Sequence, residues 1–75
     1  MTEKCYRFRL LLNAEQVLMY YQGQVKSVVV QTDSGLRVQV DLVHFRRFFQ
    51  HNGLDGRFEL STHTNGKFKA LVKIN

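Results

Sequence analysis

Three features of the sequence predict an α+β fold with the order β-α-β-β-α-β-β. Short runs in which apolar and polar residues alternate mark strands near both ends and in the middle of the chain. Two glycine-closed turns, Asp33-Ser34-Gly35 and Thr64-Asn65-Gly66, each stand between two such runs, the pattern of a β-hairpin. Two further segments, behind Asn13 and Asp41, carry apolar residues at helical spacing after a residue type that caps helices. Hairpins then join the second strand to the third and the fourth to the fifth. The expected sheet is five-stranded and mostly antiparallel, with two short helices on one face or plugging a curled sheet. The first six elements also read βαββαβ, the ferredoxin-like order, which is the alternative topology with one extra C-terminal strand.

Met1–Lys4 is polar and reads as a frayed terminus. From Cys5 onward, Tyr6, Phe8, Leu10 and Leu12 point one way and Arg7 and Arg9 the other, a half-buried strand. Asn13 with Gln16 three residues later has the form of a capping box; Ala14, Val17, Leu18 and Tyr21 make the apolar stripe of a short helix, and Gly23 is placed to end it. Val25–Val40 is the clearest hairpin. Its first strand has apolar residues on both faces, Val25 and Val29 against Val28 and Val30, which predicts a central position; in its second strand Leu36, Val38 and Val40 oppose Arg37, Gln39 and Asp41.

Asp41 is expected to cap a second helix, Leu42–His51, with Leu42, Phe45, Phe48 and Phe49 toward the core and His44, Arg47 and His51 on the opposite side. Asn52-Gly53 ends it, Asp55-Gly56 turns the chain, and Arg57–Thr62 forms a strand burying Phe58 and Leu60. In the last strand Phe68, Ala70, Val72 and Ile74 are assigned inward, alternating with Lys67, Lys69, Leu71 and Lys73.

At 75 residues the chain predicts one small domain, residues 1–75, and its six Phe and three Tyr supply much of the core. The single Cys5 excludes an intramolecular disulfide, and no leader pattern opens the chain, so a cytoplasmic location is expected. No apolar run approaches the ~20 residues that span a membrane, so no membrane partner is expected.

Chemistry-bearing constellations are sparse. On the expected helix His44 and His51 stand two turns apart, roughly 10 Å, too far to share one ion, and Cys5 is remote from every histidine. Gly53-Leu54-Asp55-Gly56 follows a helix and precedes a strand, the reverse of a phosphate-binding loop. No catalytic group, metal ligand or cofactor site is therefore assigned, and a non-enzymatic module is expected.

The net charge of +5 directs attention to surfaces. Strand alternation places Arg7, Arg9, Arg37, Arg57, Lys67, Lys69 and Lys73 away from the apolar side chains, so one sheet face is expected to carry a basic patch for nucleic acid, another polyanion or an acidic protein. Outward strand positions are polar in most proteins, so basic residues there also have a plain explanation. Tyr6, Phe8, Phe58 and Phe68 all take the apolar phase, which favours backbone contacts over base stacking. The helix stripe His44, Arg47 and His51 is a second surface, expected to bind more weakly near and above pH 7 than below. The alternative function is a protein-interaction or oligomerisation module that uses a sheet edge or an outer apolar face at Val28, Val30 and Leu71.

Read end to end, the chain resembles a family of short uncharacterised bacterial proteins, a domain of unknown function. The resemblance rests on Tyr6-Arg7-Phe8, Tyr20-Tyr21-Gln22-Gly23, Val28-Val29-Val30 with Gly35 and Val38-Gln39, Phe45-Arg46-Arg47-Phe48, and His51 through Phe58. It implies a bacterial protein and brings no activity, cofactor or catalytic residue.

Overall fold

The longest element is an antiparallel ladder of two ten-residue strands, β1 (Lys4–Asn13) and β4 (Gly53–Thr62), in a computed structural model that describes residues 3–75. Their register sets Phe8 opposite Phe58 and Leu10 and Leu12 opposite Gly56 and Leu54, so the alternation of both strands delivers large apolar side chains to one face. β5 (Phe68–Lys73) pairs with the other edge of β4, giving a three-stranded sheet in the order β1-β4-β5. β2 (Ser27–Gln31) and β3 (Arg37–Asp41) form a separate two-stranded sheet.

The fold is thus α+β in the expected element order, with its five strands divided between two antiparallel sheets instead of joined in one. The ferredoxin-like alternative requires its strands to share one sheet, with the second hairpin strand beside the first strand, whereas β2 and β3 pair only with each other among the described residues. Nor is the Val25–Val40 hairpin central. Val28, Val30, Val38 and Val40 face the core, whereas Val29 is exposed, so only one of its faces is covered. Its tip rests on β1, where the Asp33 N–H donates to the Arg7 carbonyl at 2.8 Å.

Helix α1 (Ala14–Tyr21) begins with the expected capping box: Gln16 N–H donates to Asn13 Oδ1 at 2.8 Å and Asn13 N–H to Gln16 Oε1 at 2.9 Å. It ends in a Schellman motif, with Gly23 at φ 78°, Gly23 N–H on the Tyr20 carbonyl and Gln24 N–H on the Met19 carbonyl. Its buried face differs from the expected stripe. Val17 is buried and Tyr20 packs on the core, but Ala14, Leu18 and Tyr21 are exposed.

The second helix is a 3-10 helix, Leu42–Phe48, and not an α-helix reaching His51. At three residues per turn Leu42, Phe45 and Phe48 stack in one row, which docks onto the core. Phe49 is already extended, and Asp41 precedes the helix without a side-chain capping bond. Gln50 and Gly53 then exchange backbone hydrogen bonds at the mouth of β4, so Asp55-Gly56 lies inside that strand and makes no turn. Lys4 likewise belongs to β1; of the segment read as a frayed terminus, residues 1 and 2 lie outside the described residues. Among the described residues no helix is long and apolar enough to cross a membrane.

In β5 the expected alternation fails because the ladder with β4 shifts register near its start. Ser61 faces Ala70 and Thr62 faces Phe68, leaving Lys69 as the extra residue of a β-bulge. Leu71, opposite Leu60, therefore turns inward and is buried, while Ala70 and Val72 are exposed. Phe68 stays on the inner side but at its margin, 39% exposed.

Two substitutions test this description. Gly53 has φ 122°, and a Cβ there would lie 2.2 Å from the Leu12 carbonyl oxygen. Gly53→Ala is expected to cost at least ~2 kcal/mol, read as a fall of roughly 10 °C in melting temperature by circular dichroism. Thr32 and Thr62 are both buried, but Thr32 uses its hydroxyl, accepting from Leu36 N–H and bonding Ser34 Oγ, whereas Thr62 Oγ1 has no partner among the described residues. Thr32→Val should cost about 1 kcal/mol and Thr62→Val should be neutral or stabilising. Equal losses in the two chemical melts would refute this assignment of the hydroxyls.

Candidate functional site

The register that buries Phe8 and Phe58 turns Arg7, Arg9, Asp55, Arg57 and Glu59 to the outer face of the three-stranded sheet. There the cations meet carboxylates. Arg7 Nε donates to Glu59 Oε2 at 2.9 Å, directly across the ladder. Arg9 holds Asp55 through Nε at 3.2 Å and Nη2 at 3.1 Å. Arg57 reaches Asp33 at the hairpin tip and so links the two sheets. Lys69 Nζ donates to both Glu3 oxygens, at 2.6 and 2.5 Å.

These contacts leave their mark on protonation. The hydrogen bond from Lys69 holds the Glu3 carboxyl below the usual glutamate value. The hydrogen bond to Glu59, then its charge, pushes the Arg7 guanidinium up.

Of the seven basic residues read as one patch, Arg7, Arg9, Arg57 and Lys69 are therefore neutralised by neighbours. The other three lie apart: Arg37 on β3, Lys67 in the β4–β5 turn, and Lys73 opposite Phe58 on the inner-face phase of β5. The structure does not bring the seven together.

A different surface carries, besides the Lys69 held by Glu3, two arginines with no carboxylate partner among the described residues. The rows of the 3-10 helix left over from the core are Val43 with Arg46, and His44 with Arg47, and they border β5 across a groove of about 750 Å³. The end of α1 contributes Tyr21, 55% exposed, and β5 contributes Phe68 and Val72. No carboxylate lines this groove. His44 stacks on Phe68 with ring centres 3.6 Å apart and planes 4° from parallel. Arg46 sits 5.9 Å from the centre of the Tyr21 ring, and neither Arg46 nor Arg47 has a salt-bridge partner among the described residues.

Arg47 also lies over the Phe48 ring at 4.7 Å and donates through Nη2 to the Leu71 carbonyl at 2.5 Å, a main-chain group of the sheet's edge strand. Of the expected stripe, His44 and Arg47 thus share one row, three residues apart. His51 lies beyond the helix, beside Leu18 and Tyr21 of α1. Alternation and helical spacing leave Arg46 unassigned and put Tyr21 and Phe68 in the core, whereas all three border the groove. The signal available was the three-residue spacing Leu42-Phe45-Phe48, which separates Arg46 from the buried row.

Elsewhere, Cys5 Sγ lies 3.7 Å from Ser61 Oγ on the neighbouring strand. The described residues include no group of three histidines, cysteines or carboxylates able to hold a metal ion. The apolar surface expected at Val28, Val30 and Leu71 is not an outer face: Val30 and Leu71 are buried and Val28 is half-buried.

No curated protein and no solved structure matches the chain. Its family model is matched across nearly its whole length, residues 4–74, and the chain belongs to DUF2835, a family of proteins of unknown function.

Proposed function

We propose that this domain is a non-enzymatic binding module that takes a polyanion in the groove between the 3-10 helix and β5. The observation that supports it is the division of charge. Carboxylates neutralise the outer sheet face, whereas Arg46 and Arg47 border a groove that has none. A guanidinium presents several donors in a fixed fork, so Arg47 can keep its bond to the Leu71 carbonyl and still offer N–H groups to an anion.

A second reading, self-association or protein binding, has one favourable observation: β5 has a free edge, and Val72 and Ile74 near it are exposed. Against it, Arg47 and the adjoining helix occupy part of that edge. Sedimentation equilibrium at high concentration separates the two readings, since the polyanion reading expects a monomer that stays monomeric.

The direct test is fluorescence anisotropy with a single-stranded oligonucleotide, a duplex, polyphosphate and polyglutamate. At least one is expected to bind, with affinity falling roughly tenfold between about 50 and 200 mM salt if two to three charges are neutralised. Arg46→Gln with Arg47→Gln should abolish most of that binding, and Arg7→Gln with Arg9→Gln should leave it nearly intact. Absence of binding at low salt, or the reverse pattern of variants, overturns the proposal. Glu3 supplies a finer check. Its depressed folded-state value keeps the carboxylate ionised, and its pairing in place, until the pH falls through that lowered value, so Lys69 is masked at neutral pH. Glu3→Gln should unmask Lys69 at the groove and tighten binding about two- to fivefold, the scale of one exposed ion pair.

A further inference from the structure

We infer that the polyanion is a single-stranded nucleic acid whose bases stack on the aromatic groups of the groove, Tyr21 and the His44–Phe68 pair, while Arg46 and Arg47 hold its phosphates. This rests on reading the groove as an anion site and adds what kind of anion it takes.

Two observations favour a nucleic acid over an acidic peptide. The first is the alternation of ring and cation. Tyr21 is more than half exposed, with the Arg46 guanidinium 5.9 Å from its ring centre, and Phe68 is exposed at the sheet margin with His44 parallel to it. An acidic peptide needs only the cations, whereas a single strand presents phosphates and flat bases in turn and uses both kinds of group. The second is the state of the sheet edge. A peptide adding itself to β5 as a further strand needs the outward main-chain groups of β5, but the Leu71 carbonyl already accepts from Arg47 and the 3-10 helix borders that edge. Side-chain recognition is left, and stacking requires base faces that a duplex keeps buried.

Phe68 reached this position through the β-bulge at Lys69, which lets Leu71 enter the core while Phe68 remains at the margin. The groove's two ring groups come from different parts of the chain, Tyr21 from the last residue of α1 and Phe68 from the first of β5. His44, three residues before Arg47, places a stacked ring and a cation on one row of the 3-10 helix.

The test compares a short deoxythymidine oligonucleotide with an abasic strand of equal length and charge, and with polyglutamate, by anisotropy at about 50 mM salt. Base stacking predicts that the oligonucleotide binds at least tenfold more tightly than the abasic strand, since each stacked base contributes roughly 1–3 kcal/mol. Tyr21→Leu and Phe68→Leu should each remove most of that difference, and Tyr21→Phe should keep it because the ring and not the hydroxyl is used. Circular dichroism of each variant establishes whether the fold persists; Tyr21 is more than half exposed and meets only Tyr20 and Phe49, at the edge of the core, among the rings. If the abasic strand or polyglutamate binds as tightly as the oligonucleotide, the groove is an anion site without base recognition and this inference fails alone. If none of the three binds, this inference fails, and the polyanion reading fails with it when the duplex and polyphosphate also do not bind.

Discussion

The structure depends on one cross-strand contact, Phe8 against Phe58, set by the ten-residue antiparallel register of β1 and β4. Both rings are fully buried, with centres 6.1 Å apart, and Phe45 of the 3-10 helix meets them edge-on, 5.2 Å from Phe58 and 6.1 Å from Phe8. In so short a chain three rings of this size account for much of the apolar surface removed from water, and edge-to-face geometry adds roughly 0.5–1.5 kcal/mol per pair. A one-residue slip of the ladder would put the two strand phenylalanines on opposite faces and turn one of them to solvent. Gly53 makes that register possible at its far end, because only a residue without a side chain allows β4 to start against the Leu12 carbonyl.

The same register decides where charge can act. Residues that alternate with Phe8 and Phe58 face outward together, so Arg7 meets Glu59 and Arg9 meets Asp55, and the hairpin tip brings Asp33 to Arg57. Such exposed pairs add little stability, being screened by solvent, but they remove free positive charge from the sheet surface. The excess charge of the chain consequently resides on residues outside these pairs, among them Arg46 and Arg47 beside the groove.

Much of the fold was legible because it rests on local chemistry. The capping box at Asn13, the turns closed by Gly35 and Gly66, and the alternation of Tyr6 to Leu12 are written in residues a few positions apart, and the structure carries all of them. What was not legible depends on partners distant in sequence. The pairing of β1 with β4 spans some fifty residues, so the division into two sheets leaves no local trace. The bulge at Lys69 is a mismatch between two strands and inverts the apparent phase of Leu71, which alternation alone assigns outward. The pairing of the outward arginines with carboxylates was hidden for a related reason. Alternation says which side of a strand a residue takes but not whether a carboxylate stands opposite it. Arg7 is neutralised by a residue fifty-two positions away.

The groove follows from a single period in the sequence. Leu42, Phe45 and Phe48 recur every three residues, and a helix with three residues per turn, packed by that row, must present its other two rows at the surface. An α-helix would advance 100° per residue and spread the same side chains around its circumference. In the 3-10 form, His44 and Arg47 lie together against Phe68 and the Leu71 carbonyl, while Val43 and Arg46 lie together toward Tyr21. The row that anchors the helix through Phe45 on Phe8 and Phe58 therefore also orients the cations. Disturbing the aromatic core would displace the groove, whereas the exposed Arg46 can be replaced without touching the core.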